Sequence, residues 1–374
     1  MGLIRHFAEA VKFVGLPREQ RCIVFYSEGR EYWTHLGDIL ERTLEQCEGG
    51  VCYLTSDPDD PGLQMRHPAL RTFVTDRSHF RDWLLNSLET DVCVMTMPDL
   101  DRLQVRRSSK TAHYVYAPHS LVSLHMAYRP GAFDHYDTLF CCGPHHIREA
   151  QEIERQRGVQ PKALIEQGYA RLDRMCASIA PGRRPNTRKS VLIAPSWGPQ
   201  GLVESGGEDI VAALLDQDID VILRPHPQTT RLRPHRIVSM RSRFGDHPGF
   251  KLETEVGGWD TLDNADTMVS DWSGAALEFA LARRRPLVFL ETPRKVNNPD
   301  YERIACEPIE VSIRDDVGVT AGLDDSAGIV SAITRCIESP DLPAKIVDRH
   351  VFNSGKAAEV GARYIASLTT SGKA

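Results

Sequence analysis

Arg224, His226, Ser270, Asp271, Ser273 and Gly274 are the residues of this chain whose types and spacing could do chemistry on an anion. In Arg224-Pro225-His226-Pro227 the guanidinium offers a planar, permanent charge that suits a diphosphate. The imidazole beside it can donate to a phosphate oxygen or move a proton near neutral pH, on a backbone that two prolines stiffen. Ser270-Asp271-Trp272-Ser273-Gly274 precedes Ala275 to Arg283, a run of strong helix formers, so its serines and aspartate suit an N-cap. The same helix end presents N–H groups and a positive dipole to phosphate oxygens. Asp271 would repel a phosphate it pointed at, so it is expected to hold the turn or to meet a ligand hydroxyl.

A second cluster repeats the design. Tyr114-Val115-Tyr116-Ala117 runs into Pro118-His119-Ser120, which makes His119 the candidate base for an acceptor hydroxyl on the opposite side of a cleft. His119 and His226 are thus the catalytic candidates. Ser196 joins the donor-side set at the end of another apolar run. Glu28 and Arg30, in Ser27-Glu28-Gly29-Arg30, could line the acceptor side. His145-His146 has no companion carboxylates or cysteines at metal-ligand spacing, so neither a metal nor a cofactor is expected there.

The elements that must position these residues are strands alternating with helices. Short β-like runs fall at Cys22–Tyr26, Val51–Thr55, Thr72–Thr75, Val92–Thr96, His113–Ala117 and Thr138–Cys142. They resume at Ser190–Ala194, Asp220–Leu223, Phe250–Glu253, Thr267–Val269 and Pro286–Leu290. Leu36, Ile39, Leu40, Thr43 and Leu44 mark a helix over about 32–47, and 209–216 reads as another. Interleaving of this kind predicts α/β architecture with mostly parallel sheets. The Pro-, Gly- and Arg-rich stretch from Ala177 to Lys189 divides it into two Rossmann-like domains facing across a cleft, an N-terminal acceptor-side domain at 1–180 and a C-terminal nucleotide-donor domain at 181–374. In open parallel sheets a ligand lies at the carboxyl ends of the strands, where the polar clusters stand.

Bulk composition agrees. A chain of 374 residues exceeds one ordinary core, and 41% hydrophobic with 26% charged residues is globular. The net charge of −6 argues against nucleic acid as a partner. Nine irregularly spaced cysteines resemble neither a disulfide framework nor a zinc site, which suits a reducing cytosol. No run approaches the ~20 apolar residues of a membrane span, and the first residues lack a signal peptide's long apolar core. The segment from Leu3 to Val14 is amphipathic, suited to packing on its own protein or docking on a membrane surface.

The order of a strand ending in Pro118-His119-Ser120, then Gly168-Tyr169-Ala170-Arg171-Leu172-Asp173, then Arg224-Pro225-His226-Pro227, then Ser270-Asp271-Trp272-Ser273 resembles the CDP-glycerol glycerophosphotransferases of teichoic acid synthesis. The likeness is best over about residues 110 to 300. It implies the glycosyltransferase-B fold, a CDP-activated polyol or other nucleotide-diphosphate donor, a glycan or lipid-linked acceptor, and action at the cytoplasmic face of a membrane. It also implies His119 as base, with Arg224, His226, Ser270, Asp271 and Ser273 holding the pyrophosphate and nucleotide. His119-Ser120 stands where that family has His-Gly, and Ala170 where it has proline. The alternatives are a nucleotide-sugar glycosyltransferase or epimerase-like enzyme of the same fold, and a non-catalytic nucleotide- or glycan-binding protein.

Overall fold

In the structure, a computed structural model, residues 2–103, 105–179, 188–254, 260–339 and 341–369 are described. Most of the expected linker, 180–187, lies outside them. Two parallel sheets organise the rest. The first contains β1 (Ile23–Ser27), β2 (Val51–Thr55), β3 (Leu70–Val74), β4 (Thr90–Met95), β5 (Thr111–Tyr116), β6 (Thr138–Cys141) and β7 (Ala163–Glu166), in the order β3-β2-β1-β4-β5-β6-β7. The second contains β8 (Ser190–Ile193), β9 (Asp220–Leu223), β10 (Phe250–Leu252), β11 (Thr267–Ser270), β12 (Leu287–Glu291) and β13 (Gly318–Gly322), in the order β10-β9-β8-β11-β12-β13.

β1, β2 and β4 are buried along their whole length, as apolar runs must be when helices cover both faces of a sheet. β7 and β13, which carry no strong apolar run and are not expected from sequence, are edge strands and only partly buried. In each sheet the strand order reverses once, between β1 and β4 and between β8 and β11. A crevice opens at the carboxyl ends of such a pair, and both candidate clusters stand there.

Helix Gly274–Arg283 is buried from Ala276 to Arg283, so apolar residues occupy more than one stripe of it, with Glu278 and Arg283 buried among them. One core cluster joins the domains, with Leu121, Cys142, Tyr169, Leu172 and Met175 packed among Met268, Leu277 and Phe289. Gly168 sits at φ +93 where a Cβ would stand 2.2 Å from the Phe352 carbonyl oxygen, so only glycine fits. Asp173 completes this knot by accepting from the backbone N–H groups of Gly355 and Ala357 at 2.7 and 2.9 Å.

That knot brings the end of the chain back against the helices of the first sheet. Helix Ala357–Ser367 packs on helix Trp33–Gln46, burying Ala357, Ala362 and Ile365, and Tyr364 bonds Thr138 at 2.8 Å. At the other end, helix Gly2–Val14 packs through Ala10 and Phe13 onto β3 and helix His79–Asn86, while Phe7, Val11 and Val14 remain exposed. Among the described residues no helix is long and apolar enough to cross a membrane.

Candidate active site

Between the two domains lies a cavity of about 920 Å³, within the ~300–1,000 Å³ of small-molecule sites. It brings together His119, Arg224, His226, Ser196, Ser273, Gly274 and Arg30 from the sequence reading. Ser270, Asp271 and Glu28 are not in its wall. Ser270 is fully buried and donates to the Ala194 carbonyl at 2.7 Å. Asp271 is also buried, and one of its oxygens accepts from the N–H groups of Ser196 at 2.6 Å and Trp272 at 2.7 Å, the other from Leu202 at 3.1 Å. The pair therefore stitches the ends of β8 and β11 together at the crevice and shapes the wall from behind.

On the first domain, His119 follows β5, and burial pushes its imidazole down to about 4, against a bond to Thr96 that acts the other way. Its Nδ1 lies 3.0 Å from the Thr96 carbonyl oxygen, an atom that only accepts. Nδ1 must therefore carry the proton, with Tyr116 Oη also near at 3.1 Å, and Nε2 keeps its lone pair. His119 is thus a neutral base at physiological pH. Tyr32, Tyr116, Tyr128 and His35 surround its ring.

His226, across the cavity, is the N-cap of helix Pro227–Leu232, and its Nδ1 accepts from the Gln228 N–H at 3.1 Å. That forces the opposite tautomer, with the proton on Nε2. Burial first, and then the charge of Lys295, push this histidine down to about 4 as well, against the pull of Asp271. It is a neutral hydrogen-bond donor.

Lys295 is the cation that sequence reasoning missed. It lies just beyond Glu291-Thr292, where the apolar run of β12 had already ended, so no periodicity marked it. Its ammonium stands 4.6 Å from the Trp197 ring centroid, and burial lowers it to about 8, opposed by Asp271. Arg224 lines the same wall but is already engaged, its Nε 2.7 Å from Glu253 with Thr261 alongside. Ser273 caps helix Gly274–Arg283 by accepting from the Ala275 N–H at 3.3 Å. A Cβ on Gly274 would come within 2.6 Å of Ser120 Oγ, so glycine lets this helix end approach the loop that carries His119.

Arg30 borders the cavity but spends its guanidinium on Asp57 at 2.7 Å and Asp59 at 2.7 Å. Glu28 stands behind it, raised to about 7 by burial, with Arg81 opposing. Also missed were His35 and Glu278. Tyr169 Oη donates to Glu278 at 2.9 Å and meets His35 Nδ1 at 3.1 Å, while Arg171 bonds both Glu278 and Thr34. The Gly168-Tyr169-Ala170-Arg171 segment thereby ties the two domains together at the cavity floor. A sequence signal for His35 existed only in its position at the start of an amphipathic helix.

No protein-family model matches this chain, and no curated protein sequence matches it. Solved structures do. A structure of the wall teichoic acid polymerase TagF soaked with CDPG aligns over 97% of this chain and 93% of its own, at 14% identity and a TM-score of 0.57. The UDP-N-acetylglucosamine 2-epimerase from Rickettsia bellii aligns over 92% and 95%, at 12% identity and a TM-score of 0.59. The UDP-GlcNAc 2-epimerase of Methanocaldococcus jannaschii in complex with UDP-GlcNAc and UDP covers 92% and 99%, at 12% identity and 0.56. Identities this low establish the architecture alone: the chain has the two-domain, doubly wound glycosyltransferase-B fold of these enzymes.

Proposed function

We propose that this chain is a transferase that moves a glycerol-phosphate or related polyol-phosphate unit from a CDP-activated donor to a hydroxyl of a glycan or lipid-linked acceptor. The observation that carries the reading is the pair of neutral histidines of opposite tautomer facing one cavity, a base on one wall and a donor on the other. The motif order shared with the glycerophosphotransferases, and the alignment with TagF soaked with CDPG over nearly the whole chain, support the choice of donor.

In this mechanism the acceptor hydroxyl gives its proton to His119 Nε2 as its oxygen attacks the β-phosphorus of the donor. The bond from that phosphorus to the bridging oxygen breaks, and CMP leaves with the electron pair. The charge that builds on the leaving phosphate is met by Lys295, by the Nε2–H of His226 and by the N-terminus of helix Gly274–Arg283. The protein works at the inner face of a membrane in this reading, where a lipid-linked acceptor would present its hydroxyl.

Incubation with a panel of CDP-polyols and nucleotide sugars, with mass analysis of nucleotide and acceptor, tests it. Release of CMP with transfer of a phosphate-containing unit is expected. Transfer of a bare sugar, or epimerisation of a UDP-sugar without transfer, overturns the reading, as does donor binding without any turnover.

A further inference from the structure

Helix Leu124–Ala127 is a single turn, too short to hold itself against the cost of nucleation. What holds it comes largely from the other domain. At its start, the N–H and hydroxyl of Ser123 both donate to Glu310 of the second domain at 3.1 Å, while the Leu124 N–H donates to Glu149 at 2.6 Å. At its end, Asn298 Nδ2 donates to the His125 carbonyl at 2.8 Å, Asn297 N–H to the Met126 carbonyl at 3.0 Å, and Asn297 Nδ2 to the Ala127 carbonyl at 2.8 Å. Asn297 and Asn298 lie on the same segment as Lys295, the cation on the donor wall.

The turn is also joined to the base. His119 opens the loop that leads into it, and Tyr128 leaves it. Tyr116 Oη donates to Tyr128 Oη at 3.3 Å and stands 3.1 Å from His119 Nδ1. Around the turn His125 Nδ1 lies 3.5 Å from Glu149 Oε1, while His125 Nε2 and Glu310 Oε2 are buried with no hydrogen-bond partner among the described residues. Such orphans are costly, so this seat depends on the groups that clamp it.

Resting on the reading of Lys295 as a donor-phosphate ligand and His119 as the base, we propose that this turn couples the two: seating a nucleotide phosphate on Lys295 fixes the Asn297-Asn298 segment, the segment fixes the turn, and the turn fixes His119. Asn298 and Glu310 are then positioning residues. Asn298 stands outside the cavity wall, while Glu310 borders it and acts here through its bonds to Ser123.

The coupling is read on His119 itself, by NMR titration of 13C-labelled histidine with CMP as the probe. In the wild type His119 is expected to titrate near 4, and saturating CMP to shift its resonance. In Asn298→Ala and Glu310→Ala the ring loosens, its titration moves up toward the ordinary ~6.5, and bound CMP no longer shifts it, while CMP affinity stays within about twofold. Glu310→Gln keeps an acceptor oxygen for Ser123 and restores wild-type behaviour. Where the wild type turns over a nucleotide donor, the Ala variants lose about tenfold or more in kcat with little change in donor KM. An unmoved His119 titration in both Ala variants, an equal CMP shift in variant and wild type, or a matching loss of CMP affinity overturns the coupling. A wild type that releases no CMP from CDP-polyols overturns the proposed reaction, and the titration still decides the coupling.

Discussion

His119 and His226 face one cavity from opposite walls, both half-buried and both pushed down to about 4, yet they are built for opposite tasks. On the first-domain wall a carbonyl oxygen at the end of β4 takes the Nδ1 proton and leaves a lone pair toward the cavity. On the second-domain wall a backbone N–H takes the Nδ1 lone pair and leaves a proton there. Burial keeps each ring neutral, and the partner of the far nitrogen decides whether it receives or gives. The walls differ in charge as well. Lys295 stands on the donor wall, whereas of the first-domain arginines that line the cavity Arg30 pairs with Asp57 and Asp59, Arg77 stands 3.9 Å from Asp57 and Arg171 bonds Glu278.

The strongest way to break this comparison is to remove each ring in turn. His119→Ala should lower turnover by roughly 10²–10⁴-fold with donor affinity unchanged, measured by single-turnover kinetics and calorimetry. His226→Ala should weaken donor affinity itself, by about tenfold to a hundredfold, as loss of a hydrogen bond to a charged group does. Equal losses in the same parameter for both variants would erase the distinction between base and donor.

A pH profile sharpens it further. His119 must be neutral to accept a proton, so the acid limb of kcat should lie near 4 rather than at the ordinary ~6.5. Lys295 must be charged to hold a phosphate, so donor affinity should fall as pH rises through about 8, and Lys295→Arg should abolish that basic limb. The two lowered histidines also bind fewer protons in the folded than in the unfolded chain. Their contribution to stability is full above about 6.5 and is lost as pH falls toward 4, which urea unfolding at several pH values would register.

The smallest expected effect comes from the place where the walls touch. In Gly274→Ala the new Cβ meets Ser120 Oγ at 2.6 Å and Val122 Cγ1 at 3.3 Å, and overpacking of this kind typically costs ~1–3 kcal/mol. A loss of about threefold to tenfold in kcat/KM is expected, relieved when Ser120→Ala is added, because the Ser120 Cβ itself stands at 3.9 Å. Additive losses in the double variant would mean that the contact plays no part in cleft closure.

Much of this was legible in the chain because fully buried parallel strands must be apolar runs, and Val51–Thr55 falls where the pattern puts it. The edge strands β7 and β13 escaped because a half-solvated strand of four or five residues needs no such run. Helix Ala357–Ser367 shows an apolar face, but a face does not say which domain it covers. In the site, the RPHP and SDWSG segments were visible as strand ends. Sequence could not separate Ser273, which borders the cavity, from Ser270 and Asp271, which stitch its backing, since the same residue types serve both ends. The tautomers depend on Thr96 and Gln228, and Thr96 is remote in sequence from His119, so composition alone could not have revealed the division of labour.

The return of the chain to the first domain at Phe352, whose N–H donates to the Cys142 carbonyl at 2.8 Å, means that two covalent crossings join the domains instead of one. A leaf hung on a single pin can swing and twist in any direction, but one hung on two pins turns only about the line through them. Any turning of one domain against the other would therefore be held to one arc, and closure along it would bring Gly274 to the same spot on Ser120.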